Sequence, residues 1–209
     1  MNAFKPGRQT RKVLIIAFHF PPTQFIGSQR PYGLAKYLHH FGWEPTVLTI
    51  KHASGFPPGI RVLATDYSDR IASVKKLTGF NPGEGVHQQM GITLTKNFSN
   101  PSWKRETIKA LRELIAFPDN EAGWYRHAVK SASELMNKER IDAIISTSFP
   151  ATAHLIAKKL KQEYGVPWIA DLRDLWTMNH YYDKLGVIRF FERRLEMRTL
   201  SCAGLLVTV

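Results

Sequence analysis

Lys12-Val13-Leu14-Ile15-Ile16-Ala17-Phe18 is the stretch on which the fold turns. An unbroken apolar run rich in β-branched residues is the pattern of a parallel strand covered by helices on both faces. Lys5, Arg8, Arg11 and Lys12 upstream give it the look of a signal peptide. The run is too short to span a bilayer, however, and it ends in His19-Phe20-Pro21-Pro22 with no small-residue cleavage site. It reads as a buried first strand. A loop over 19–28 follows, then a helix with Pro31 near its start and Leu34, Leu38 and Phe41 on one stripe. Gly42 stops that helix, and 45–50 reads as a second strand. The opening is therefore a βαβ unit, and its crossover is expected to be right-handed.

Further along, breaker clusters at Gly55-Phe56-Pro57-Pro58-Gly59 and Asn81-Pro82-Gly83-Glu84-Gly85 mark 51–101 as loop-rich. A short strand over 61–64 and a helix over 72–78 are expected inside it. Regular structure resumes with helices over 103–117 and from the turn Pro118-Asp119-Asn120 to 137. Then come a strand at 143–146, a helix at 152–163, a strand at 167–170, a helix at 187–200 and a strand at 205–209. Strands alternating with helices predict an α/β fold: a doubly wound, mostly parallel Rossmann-like sheet with helices on both faces. No repeat or linker divides 1–209, so one domain is expected. Its end inside an apolar strand reads as a cut.

The 209 residues, 44% hydrophobic and 22% charged, are ordinary for a globular chain and exclude disordered and fibrous classes. No later segment has the length of a membrane span, which predicts a soluble, cytoplasmic chain. The single cysteine, Cys202, fits a reducing compartment, and no Cys/His cluster has zinc spacing. With 29 Lys+Arg against 17 Asp+Glu, the net charge is +12. Such a chain seeks polyanions: nucleic acid, a phosphate-bearing ligand or an anionic membrane surface. The 103–117 segment carries Ile108, Leu111, Leu114 and Ile115 on one face, with Lys104, Arg105, Lys109 and Arg112 off it. That pattern fits either packing on the sheet or peripheral contact with an anionic interface.

In open α/β sheets ligands collect at the carboxyl ends of the strands. After the first strand, Gly27 stands without the further glycines of a dinucleotide fingerprint, which disfavours a nicotinamide or flavin oxidoreductase. Gly27, Ser28 and Arg30, at a helix start, are candidate phosphate contacts; the alternative is that Gly27 serves the turn and Ser28 caps the helix. After the 143–146 strand come Thr147-Ser148-Phe149-Pro150 and His154, hydroxyl and aromatic groups suited to a sugar, although a lone histidine there is commonly structural. After the 167–170 strand, Asp171-Leu172-Arg173-Asp174-Leu175-Trp176 is the densest polar cluster at any strand end. Two carboxylates flanking a guanidinium make either a base with an anion clamp or a salt bridge that orders the loop. No G-x-S-x-G nucleophile motif is present.

The order of these segments resembles the N-terminal domain of family 4 glycosyltransferases. The likeness rests on 13–18 with Pro21-Pro22 and Gly27, Leu34-Ala35-Lys36-Tyr37-Leu38 before Gly42, Phe117-Pro118-Asp119, Gly123-Trp124, 146–154 and 167–176. It implies half of a GT-B fold, with a nucleotide-sugar-binding C-terminal domain beyond this chain. It implies an acceptor-binding role, for a glycan or lipid-linked acceptor, in polysaccharide biosynthesis at the inner face of the membrane. It further implies a UDP- or GDP-linked donor, retention at the anomeric carbon, no metal or other cofactor, and no activity for the isolated domain. On this reading Arg173, Asp174 and Asp171 are the catalytic candidates, and Gly27 reaches the donor phosphate. Trp124, Phe149, His154 and Trp176 meet the acceptor. Two positions depart from the family: Ser28 replaces a second glycine, and Arg173 stands where relatives often carry histidine. A basic nucleic-acid-binding module and a sugar-nucleotide epimerase or mutase half-domain are the alternatives; the scattered cations and missing nucleic-acid signatures argue against the first.

Overall fold

The computed structural model describes residues 10–70, 113–179, 184 and 186–208. Among them, six strands form one parallel sheet: β1 Arg11–Ile16, β2 Trp43–Ile50, β3 Arg61–Thr65, β4 Ala143–Thr147, β5 Trp168–Leu172 and β6 Leu205–Thr208. The helices are α1 Gln29–Tyr37, α2 Tyr125–Lys138, α3 Thr152–Tyr164 and α4 Gly186–Leu200. Strand order is β3-β2-β1-β4-β5-β6, the doubly wound Rossmann-like order. The expected helix at 72–78 and residues 103–112 of the amphipathic helix, with Lys104, Arg105, Lys109 and Arg112, lie outside the described residues; 113–115 are helical.

β1 is central because its side chains are apolar on both faces. Leu14, Ile15 and Ile16 are fully buried. Leu14 and Ile16 pack with Leu48 and Ile144 against Ala128 and Ala132 of α2 and Ile156 and Leu160 of α3. Ile15 and Ala17 point the other way, with Val47, onto Ala35 of α1. The period of two thus puts consecutive residues of one strand into two cores. α1 gives way to a short 3-10 turn, Leu38–Phe41, and Gly42 ends it with φ 77°, the left-handed conformation that favours glycine.

Ser146 sits in the middle of the sheet, fully buried, where a hydroxyl needs partners. Trp168 Nε1–H donates to its Oγ at 2.7 Å, and His154 Nδ1 lies 2.7 Å from the same oxygen. Burial holds the His154 imidazole down to about 3, so it is neutral. Its Nδ1 shares a hydrogen bond with the serine hydroxyl, the donor being set by the tautomer. One small side chain therefore joins β4, β5 and α3. Ser146→Ala should lower unfolding free energy by about 1–3 kcal/mol for each group it orphans. Denaturant titration of the variant beside Ser146→Thr, which keeps the hydroxyl, checks this.

Candidate functional site

Strand order reverses between β1 and β4, so the loops that leave their carboxyl ends diverge and open a crevice. The β1 loop supplies His19, Phe25 and Gly27, the first turn of α1 supplies Arg30, and the β5 end supplies Asp171, Arg173 and Asp174. At Gly27 the fit is tight. A Cβ built there would stand 1.8 Å from Arg173 Nη1 and 2.7 Å from Phe25 Cε1. A side chain at this position would displace the guanidinium from the backbone it lies against. Arg173 also sits over the Phe25 ring, 5.4 Å from its centroid, and its Nε is 3.4 Å from Asp174 Oδ2. His19 packs on the same Phe25 ring, with centroids 4.3 Å apart and planes tilted by 36°. Burial, then Arg173, then His52 hold the His19 imidazole down to about 4. It is a neutral ring beside a fixed cation.

Behind this layer Arg30 Nη2 pairs with Asp171 Oδ1 at 2.8 Å. The Asp171 side chain is 4% exposed, and burial raises its carboxyl above the usual carboxylate range against the opposing pull of Arg30. Its register partner on β4 is Thr147. Asp171 and Arg30 therefore brace β5 to α1, whereas Asp174 is exposed and Arg173 is partly so. The salt bridge that orders the loop is present at both ends of the cluster, as Arg30–Asp171 and Arg173–Asp174. Ser28 is fully buried, and its hydroxyl donates to the carbonyls of Phe25 at 2.7 Å and Thr23 at 3.1 Å. It ties the loop, leaves the helix start uncapped by its side chain and presents no hydroxyl to a ligand.

The expected acceptor contacts are corrected by burial. Trp124 is fully buried: its Nε1–H donates to Thr65 Oγ1 at 2.8 Å, and its ring meets Phe18 edge-on. Gly123 before it is required by the Ser68 carbonyl, 1.8 Å from where a Cβ would stand. His154 is fully buried in the Ser146 network, and Trp176 is 2% exposed. These three rings cannot touch a solvent-borne acceptor in this conformation. Phe149, after β4, is half-buried.

His19 and Phe25 are the site residues that sequence reading missed. The first directly follows the apolar run that ends at Phe18, so its place at a strand end was the available signal. Asp119 is a further missed anchor. It accepts from Thr152 N and Thr152 Oγ1, both at 2.6 Å, and so caps α3 from a distant turn. Among the described residues no group of three or more His, Cys, Asp or Glu is placed to hold a metal ion.

No family model matches the chain, and no curated protein matches it. Solved structures similar to it include the glycosyltransferase SsfS6 of Streptomyces sp. SF2575, 16% identical over 93% of this chain and 47% of that one, TM-score 0.44. Sucrose-phosphate synthase from Thermosynechococcus elongatus is 12% identical over 95% of this chain and 47% of its own, TM-score 0.48. The spinosyn rhamnosyltransferase SpnG, complexed with thymidine diphosphate, is 11% identical over 95% and 44%, TM-score 0.45. The chain spans about half the length of these three proteins.

The His19–Arg173 contact has a measurable consequence. Removing a neighbouring cation lifts a depressed imidazole, while burial, the larger cause, remains. In Arg173→Ala the His19 resonance should titrate above its starting value of about 4 yet stay below the ordinary 6.5. Histidine NMR titration of both proteins, with His19→Gln for assignment, makes the comparison.

Proposed function

We propose that this chain is the acceptor-side domain of a GT-B glycosyltransferase that moves a sugar from a nucleotide-sugar donor to a glycan or lipid-linked acceptor. The observation that carries the reading is the Arg173 guanidinium, held against Gly27 and Phe25 where the ends of β1 and β5 approach the crevice. A fixed cation at a switch point, beside backbone without a Cβ, suits a diphosphate that gains negative charge as it leaves. The resemblance of 13–42 and 117–176 to family 4 enzymes supports the same reading.

The chemistry asked of these residues is limited. The acceptor oxygen bonds the anomeric carbon as the carbon–oxygen bond to the diphosphate breaks, and the electron pair leaves with the nucleoside diphosphate. Arg173 stabilises that charge. Asp174, exposed beside it, takes the hydroxyl proton. Asp171 keeps Arg30 and β5 in place. Donor binding falls mainly to a second domain, so 1–209 by itself lacks the positioning that contributes about 7–11 kcal/mol.

In a protein that carries both domains, Arg173→Ala or Asp174→Ala should lower turnover more than about tenfold, since a preorganised charged contact contributes roughly 2–4 kcal/mol. Melting temperature should hold. A fall in melting temperature with turnover per folded molecule unchanged would return Arg173 and Asp174 to a purely loop-ordering role. Residues 1–209 alone, assayed with UDP- and GDP-hexoses, should release no nucleotide; robust transfer by them would overturn the half-enzyme reading.

A further inference from the structure

Helix α4 is built inside out. Its carboxylates, Glu192 and Glu196, point inward: Glu192 is fully buried and pairs with Lys184, and Glu196 accepts from Thr177 N and Oγ1. The outward face carries Val187 (69% exposed), Phe190 (62%), Phe191 (56%) and Met197 (64%). Interleaved with them are Arg189, Arg193, Arg194 and Arg198, all exposed. No carboxylate shares that face, and no ion pair among the described residues engages any of the four arginines. The Phe190 and Phe191 rings stand edge to face with centroids 5.6 Å apart.

Four uncompensated cations and two exposed aromatic rings on fifteen residues of helix demand a partner that is at once anionic and apolar. A bilayer with acidic headgroups has both properties within a few ångströms: phosphates for the guanidinium groups, and acyl chains for Phe, Val and Met. We infer that α4 is a peripheral docking face for an anionic lipid surface. Among the described residues no helix is long and apolar enough to cross a membrane, and α4 lies along the interface. The inward carboxylates belong to the same design. By anchoring Lys184 and Thr177 they remove negative charge from the outer face.

Residues 1–209 should sediment with equimolar phosphatidylcholine–phosphatidylglycerol vesicles, not with phosphatidylcholine alone, and added salt should release them. Arg193→Gln/Arg194→Gln/Arg198→Gln should weaken binding at least about tenfold, because each cation near the surface adds appreciable affinity. Phe190→Ser/Phe191→Ser should do the same through lost insertion. Both variants should keep the wild-type melting curve, since the altered side chains are exposed. A charge-matched control on α2, Arg126→Gln/Lys130→Gln/Lys138→Gln, should bind as wild type. Equal weakening by the α2 control would mean diffuse attraction to the net charge and would overturn the assignment, as would no vesicle binding. Binding to polyglutamate without vesicle binding would reassign the face to an acidic protein.

Discussion

The double burial of β1 is the constraint on which the other parts depend. A strand apolar on both faces can be nowhere but the middle of a sheet with helices above and below. β2 and β3 then lie to one side of it, and β4 to β6 occupy the other. The crevice follows from this geometry, because loops leaving adjacent strands toward opposite layers cannot cover the gap between them. Arg173 and Gly27, 146 positions apart by their numbers, meet there because β1 and β5 both flank the β4 strand.

That much was legible because it is written in local pattern. The Val-Leu-Ile-Ile run, the stop at Gly42 and the polar burst after Ile169-Ala170 each show through the identity of neighbouring residues. The orientation of single rings was not legible. His154 is the third residue of α3, and a rotation of about 100° per residue decides between the crevice and the core. A partner on another strand, Ser146, turns it inward. Trp124 is drawn in likewise by Thr65, whose own hydroxyl donates to the Thr49 carbonyl. Aromatic residues near strand ends look alike in sequence whether they line a cleft or seal it.

The two inward carboxylates of α4 show the same limit from the other side. Helical spacing marks Glu192 and Glu196 as one stripe, and the ordinary expectation turns such a stripe to water. Here the loop after β5 offers an ammonium group and a threonine with both its N–H and hydroxyl, and these reverse the choice. The loop that bears Arg173 and Asp174 is thereby pinned to α4 at Thr177 and Lys184. Precision at the crevice is supplied from the opposite end of its own loop.

The Arg30–Asp171 pair ties the joint between α1 and β5 to protons. Burial already raises the Asp171 carboxyl, and Arg30 is the largest influence that keeps it ionised. A carboxyl raised in the folded chain takes up a proton on folding, so its contribution to stability is full in acid and is lost as pH rises through its folded value. Loss of the guanidinium would raise the carboxyl further and widen that range. In linkage terms, the acidity of the solvent sets how firmly this helix and this strand are held together.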